Sequence, residues 1–204
     1  ANKIKPVNVV DSEAGGWYDL VSREMSIPKD WAQAAHKHKW KGTFWHETGH
    51  AVDFFQRYDP VTGVTNARSH LLKDAIILDK KDLIAGKVKP KKMPQKARRA
   101  FVKIVEDEVI ADKIEAYIKE GQFVEALYVL EFKTTTLYSG DLKSPHFLSY
   151  YQTTQMNDFV GSITNNIVGQ GHSDAYYKKF MSLGNGITQG HTAEAFATGF
   201  AAHV

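Results

Sequence analysis

The chain has 204 residues, 43% of them hydrophobic, and a formal net charge of +3 at pH 7. This length allows one sizeable core, and so small a net charge does not demand a nucleic-acid partner. The lack of cysteine excludes disulfides and thiolate zinc sites. No apolar stretch is long enough to span a bilayer and no signal-peptide pattern opens the chain, so we expect a soluble protein without a membrane partner.

The first thirty residues have the pattern of short strands. Residues 7–10 form a β-branched run, and residues 17–19 are expected to pair with residues 24–27 as a hairpin that Pro28 closes. The edge of such a sheet can hold an extended peptide by main-chain hydrogen bonds. The hairpin is therefore a candidate substrate wall, with a plain structural sheet as the alternative.

A helical pattern follows the strands. It begins near Asp30, which can cap a helix, and it runs to Tyr58, where Asp59-Pro60 ends it. A break is expected at Gly42, because glycine weakens a helix interior.

This helix carries the H-E-x-x-H motif, as His46-Glu47-Thr48-Gly49-His50. At about 100° per residue the two histidines lie about 40° apart on one face, and the glutamate lies beside them. Two neutral imidazoles can hold Zn²⁺, which activates a bound water, and an adjacent carboxylate can take that water's proton. Apolar residues lie opposite the histidines and predict packing on a core: Phe44, Ala51, Val52, Phe55 and Tyr58.

The middle of the chain reads as helical. Helical spacing covers residues 71–84, 95–119, 123–132 and 147–163, with residues 61–70 as a loop. Residues 87–99 contain seven Lys or Arg among thirteen residues, which favours a solvated connector over a nucleic-acid surface because aromatic residues are missing. Four acids on the second helix are expected to form a solvated face rather than a metal cluster: Glu106, Asp107, Glu108 and Asp112.

A catalytic zinc site needs a third protein ligand. The candidates are Glu194, Asp174, His172, His191 and His203. Glu194 lies in a small-sided apolar helix at residues 192–202, where a lone carboxylate needs a cation or a metal. The alternative is that Glu194 interacts with the helix dipole and pairs with a residue such as Arg57.

Two stretches of the sequence resemble known families. His46-Glu47-Thr48-Gly49-His50-Ala51-Val52-Asp53, with Ala193-Glu194-Ala195-Phe196, resembles the catalytic domain of anthrax-lethal-factor-like zinc endopeptidases, which have H-E-x-G-H-A-x-D followed by a ligand Glu in a small, apolar helix. Residues 158–177 resemble the C-terminal metallopeptidase-like region of phage minor head proteins. The resemblance implies a zincin-like fold, with His46, His50 and Glu194 as Zn²⁺ ligands and Glu47 as general base.

The chain departs from the lethal-factor-like pattern at one position. A tyrosine about seven residues before the ligand Glu polarises the substrate carbonyl in that family, and Ile187 stands there in this chain. Another donor must then stabilise the oxyanion. The candidates are His172, Tyr177 and His191, with Tyr176 as a further available group.

The sequence as a whole predicts a mainly helical α+β, zincin-like fold with a small N-terminal sheet. We expect one domain over residues 1–204, with a helical insertion at about residues 61–165. The predicted function is that of a zinc endopeptidase acting on a protein or peptide, either secreted or associated with a virion or prophage. The alternative is a phage head component that keeps the fold as an assembly module. Because the chain starts at Ala1, we expect that it was trimmed.

Overall fold

The structure is a computed structural model, and it shows a mainly helical α+β fold with a small sheet near the N-terminus. The predicted mainly helical α+β class with a small N-terminal sheet is therefore confirmed, and the zincin-like fold stays a prediction. The structure describes residues 8–10, 16–19, 22–29, 37–54, 67–85, 87, 95–141, 143–167 and 172–204.

The chain divides into two compact units. The first unit is formed by Ala1–Ile77 together with His172–Val204, and the second by Leu78–Gly171. The N-terminal sheet and the H-E-x-x-H helix belong to the first unit, and the helices within residues 95–164 belong to the second. The helix Lys73–Ile84 spans the division. A single domain with an insertion at about residues 61–165 stays a prediction.

The N-terminal sheet has three strands: β1 (Asn8–Val10), β2 (Trp17–Asp19) and β3 (Glu24–Pro28). β2 pairs antiparallel with β3, which confirms the predicted hairpin, and β1 pairs parallel with the other side of β3. β2 is therefore an edge strand of this sheet. Met25 and Ile27 on β3 are buried, and Phe44 and Ala51 of the next helix pack against them.

Helix α1 (Lys37–Phe54) carries the H-E-x-x-H motif. The expected break at Gly42 is wrong, because α1 continues through that residue. Glycine costs about 1 kcal/mol relative to alanine inside a helix, and burial of α1 side chains against β3 offsets this cost. The predicted N-cap at Asp30 and the predicted end at Asp59-Pro60 lie outside the described residues, as do the expected packing of Phe55 and Tyr58 and the position of Arg57.

A short 3-10 helix (Arg68–Leu72) leads directly into α2 (Lys73–Ile84), where helical spacing was predicted. Near the end of the chain, α7 (Asp174–Tyr177) precedes a hairpin of β4 (Ser182–Gly184) and β5 (Ile187–Thr188). This hairpin was not predicted from the sequence. Asn185 and Gly186 at its turn both have positive φ, of 56° and 77°, which is the backbone that Asn-Gly turns favour.

Helix α8 (Gln189–His203) contains the predicted segment 192–202 and is buried along its first two turns. It crosses α1 at Gly49, where an added Cβ would lie 2.7 Å from the Cα of Ala197. No side chain fits at such a distance without movement of one backbone. Glycine at position 49 therefore permits the close approach of α1 and α8.

The second unit contains α3 (Gln95–Val105), α4 (Glu108–Lys119), α5 (Phe123–Tyr138) and α6 (Phe147–Thr164). The α5 and α6 regions were predicted, but the single helix over residues 95–119 is wrong. Helix α3 ends at Val105, because Glu106 has a φ of +51°. Asp107 then caps α4 by accepting a hydrogen bond from the Ile110 amide at 3.0 Å.

The acids at the break and on α4 face solvent and basic side chains. Glu106, Glu108 and Asp112 are exposed, and Arg98 pairs with Asp112 and with Glu115. A metal cluster among these acids is not found in the described part of the chain. The basic residues at 95–99 lie in α3, and residues 88–94 of the predicted connector lie outside the described residues.

Substitution by alanine should change the stability in opposite directions at two glycines, because only one of them lies at the α1–α8 crossing. Gly49→Ala should destabilise the protein by about 1–3 kcal/mol, because the new methyl group overpacks the crossing. Gly199→Ala, at an exposed position inside α8, should stabilise it by up to about 1 kcal/mol through helix propensity. Urea unfolding of both variants measures these changes, and equal effects at the two positions would remove the steric argument.

Candidate metal centre

Helix α1 presents its two histidines as a pair on one face. The Nε2 atoms of His46 and His50 lie 3.1 Å apart, and the rings meet edge to face with centroids 4.7 Å apart. Two imidazole nitrogens at this distance repel each other unless a proton or a metal ion lies between them. Both side chains are only 14% exposed, so water screens that repulsion poorly.

Helix α8 places a carboxylate opposite this pair. Glu194 is 3% exposed, and its Oε2 lies 3.2 Å from His46 Nε2 and 3.7 Å from His50 Nε2. The ligand atoms of these three residues all lie within 4.8 Å of one another, and no other such group of His, Cys, Asp or Glu occurs among the described residues. The structure thus brings together the three residues that were predicted as metal ligands.

The spacing of the three atoms can be tested against zinc. Zinc bonds of about 2.0–2.2 Å in a tetrahedron place neighbouring ligand atoms about 3.3–3.6 Å apart. The three observed separations, 3.1, 3.2 and 3.7 Å, scatter around that value. Oε2 of Glu194 is also buried, and none of its contacts has the geometry of a hydrogen bond. The donor set and its spacing therefore fit a zinc ion.

Charge interactions in the cluster keep Glu194 ionised. Burial alone would raise the pKa of this carboxyl, but the charge of His50 and contacts with the His172 and His46 imidazoles outweigh it, so the pKa falls well below its usual value. A buried anion held by imidazoles has the sign of charge that a divalent cation requires.

Glu47 lies beside the cluster and in a different environment. It is 8% exposed, and burial raises its pKa to about 7, against the opposing effect of the charge on His46. The backbone amide of Tyr18 on the edge strand β2 donates a hydrogen bond to its carboxylate. A carboxyl with such a pKa can both take up and release a proton near neutral pH.

Two aromatic residues on the α7 side complete the surroundings of Glu194. The Tyr176 hydroxyl donates a hydrogen bond to Oε1 at 2.6 Å, and Nε2 of His172 lies 3.6 Å from Oε2. The two rings are stacked, with centroids 4.0 Å apart. Burial and the Glu194 charge raise the pKa of Tyr176, which keeps its hydroxyl protonated as a donor. His172 thus lies next to the cluster, as the sequence predicted.

The other two predicted oxyanion donors are packed on each other. The rings of Tyr177 and His191 are stacked with centroids 3.8 Å apart, and both residues are buried. His191 forms a capping box with Thr188, whose backbone amide donates to His191 Nδ1 at 3.1 Å. These contacts give both residues a packing and capping role, and a direct part in catalysis stays a prediction.

The remaining candidates lie in ordinary environments. Asp174 and His203 are exposed, and neither belongs to the group of converging ligand atoms. Ile187, at the position where the lethal-factor-like pattern has a tyrosine, is 0% exposed and lies in β5. This position therefore belongs to the core of the first unit.

The sequence assigned no role to Thr198, Ser69 or Thr192, whereas it already placed Asp53 at the end of the segment that contains the H-E-x-x-H motif. Oγ1 of Thr198 lies 3.3 Å from Nδ1 of His46. Asp53, buried on the histidine face of α1, accepts a hydrogen bond from the Ser69 amide at 2.7 Å, and Ser69 Oγ donates to Thr192 of α8 at 3.3 Å. The available signals were the four-residue spacing from Glu194 to Thr198 and the place of Asp53 one turn after His50.

Comparison of the chain with family profiles, with curated proteins and with solved structures found no match of any of the three kinds. In the described part of the chain, no helix is both long and apolar enough to cross a membrane. The function of the chain must therefore be inferred from its own residues.

The geometry predicts one tightly bound zinc ion per chain. Zinc content after dialysis should be close to stoichiometric in the wild type and should be lost in a His46→Ala, His50→Ala double variant and in Glu194→Ala, because each removes ligand atoms. His203→Ala, an exposed histidine of α8, is the matched control and should keep its zinc. Stoichiometric zinc in the double variant would place the ion elsewhere.

Proposed function

We propose that the chain is a zinc-dependent endopeptidase. The observation that supports this best is the convergence of His46, His50 and Glu194 within 4.8 Å, next to a buried Glu47 on the same helix turn. A purely structural zinc site has four protein ligands, whereas a catalytic one has three and a neighbouring base. Among the described residues the group has three members.

The residues would divide the chemistry between them. His46, His50 and Glu194 would hold the metal through Nε2, Nε2 and Oε2. Zn²⁺ bound there would lower the pKa of a coordinated water and polarise the substrate carbonyl. Glu47 would accept the proton of the attacking water on its carboxylate and later donate it to the leaving nitrogen. The Tyr18 amide orients that carboxylate.

His172 is the residue that we assign to the oxyanion. Its side chain is 33% exposed and its Nε2 lies at the edge of the cluster, 3.6 Å from Glu194 Oε2, so it can reach a bound substrate. A neutral or protonated imidazole can donate a hydrogen bond to the negative charge that develops on the carbonyl oxygen. It would take the place of the tyrosine that Ile187 replaces.

The substrate would bind as an extended peptide along β2. That strand lies at the edge of the three-stranded sheet, and the hydrogen bond from its Tyr18 amide to Glu47 shows that it lies beside the cluster. An edge strand offers main-chain donors and acceptors to an added strand. The class of substrate is therefore a protein or peptide segment that can adopt a strand conformation.

Glu47→Gln tests the role of the base. The variant keeps its shape but cannot accept a proton, so kcat on a broad peptide library should fall by a factor on the order of 10²–10⁴ while zinc content stays at the wild-type level. Glu125→Gln, an exposed position on α5, is the matched control. Loss of zinc in Glu47→Gln would show that Glu47 is a ligand, and a wild type that holds zinc without turnover would favour the assembly-module alternative.

His172→Gln tests the oxyanion assignment. Removal of one oxyanion donor typically costs about 10²–10³ in kcat, and we expect such a loss with KM and zinc content little changed. His203→Gln serves as the control for a histidine away from the cluster. If kcat is unchanged, another group stabilises the oxyanion.

A further inference from the structure

Two of the three predicted ligands have their second polar atom in contact with a hydroxyl group. Glu194 Oε1 accepts a hydrogen bond from the Tyr176 hydroxyl at 2.6 Å. Nδ1 of His46 lies 3.3 Å from Oγ1 of Thr198. The other polar atoms, Oε2 of Glu194 and Nε2 of His46, face each other within the cluster. This arrangement selects which atom of each residue is presented to a metal.

The contact at Glu194 decides how the carboxylate binds. Oε1 is occupied by the Tyr176 hydroxyl, so Oε2 alone faces the nitrogens of His46 and His50. A carboxylate held in this way would bind a metal through Oε2 alone, which would leave a coordination position for water. The Tyr176 hydroxyl has one proton, and the structure commits it to Glu194.

The contact at His46 decides the state of its ring. A neutral imidazole that ligates through Nε2 carries its proton on Nδ1, and that proton needs an acceptor. Thr198 Oγ1 is within reach, and Thr198 is only 8% exposed, so water competes poorly for the contact. Thr198 lies one turn after Glu194 on α8. One helix thus supplies both a ligand and a group that orients another ligand.

We propose that Tyr176 and Thr198 are positioning residues for the metal ligands, with Tyr176 acting on Glu194 rather than on the substrate carbonyl. This inference rests on the proposed zinc site. It predicts that loss of either hydroxyl weakens zinc binding, which the loss of a hydrogen bond to substrate would not do.

The test compares zinc affinities measured by competition with a chromophoric chelator. Tyr176→Phe and Thr198→Val should each weaken binding by about 10–100-fold, as is typical for groups that orient ligands. Thr198→Ser keeps the hydroxyl and should restore most of the affinity. Tyr128→Phe and Thr134→Val, both on α5 in the second unit, control for the loss of a hydroxyl elsewhere in the chain.

Two results would overturn the inference. The first is wild-type affinity in both Tyr176→Phe and Thr198→Val. The second is a Tyr176→Phe variant that keeps its zinc affinity but loses kcat, because Tyr176 would then act on the substrate.

A metal-free measurement separates this inference from the proposed function. Nitrogen-15 NMR of the zinc-free protein reports which ring nitrogen of His46 carries the proton. Without zinc, the Glu194 carboxylate 3.2 Å away should hold a proton on Nε2, and the Thr198 hydroxyl should then donate to Nδ1. The Nδ1 shift should therefore be that of a hydrogen-bonded nitrogen in the wild type and in Thr198→Ser, and that of a free nitrogen in Thr198→Val. If the wild type takes up no zinc, the proposed function fails, and this spectrum alone decides whether Thr198 orients His46. Identical His46 spectra in the wild type and Thr198→Val would refute that contact.

Discussion

The packing of α8 on α1 in the first unit depends on the buried carboxylate of Glu194. An ionised carboxylate removed from water costs several kcal/mol unless positive charge or hydrogen bonds compensate it. Its neighbours are the imidazoles of His46 and His50 and the Tyr176 hydroxyl. These contacts require α8 to lie directly on α1, and the missing side chain at Gly49 allows that approach. Packing and electrostatics at this crossing therefore depend on each other.

The fold was predictable where local signals agreed with tertiary packing. Two short strand-like runs and the closing Pro28 predicted the β2–β3 hairpin, and helical spacing over residues 123–132 predicted α5. Local signals failed at Gly42, where packing of α1 outweighed the cost of a glycine, and at Glu106, where the cap at Asp107 began a new helix. The β4–β5 hairpin was missed, because strands of two or three residues carry little periodicity.

The site was predictable in its ligands but less so in its surroundings. Spacing on one helix places His46 and His50 together, and a lone carboxylate in an apolar helix favours Glu194 as the third ligand. Whether Tyr176 or Tyr177 faces Glu194 depends on where the four-residue helix α7 begins. Two adjacent aromatic residues in a sequence do not indicate that position. The contact of Thr198 with His46 joins residues 152 positions apart. No pattern within one helix can predict this contact, because it exists only through the packing of α8 on α1.

The most direct measurement is an anomalous difference map at the zinc edge, from crystals grown with equimolar zinc. The proposed centre requires one strong peak per chain, about 2.0–2.2 Å from Nε2 of His46, Nε2 of His50 and Oε2 of Glu194, with Glu47 outside the coordination sphere. A peak away from this cluster, or a Glu194 carboxylate more than about 4 Å from the metal, would show that the three residues do not form a zinc site.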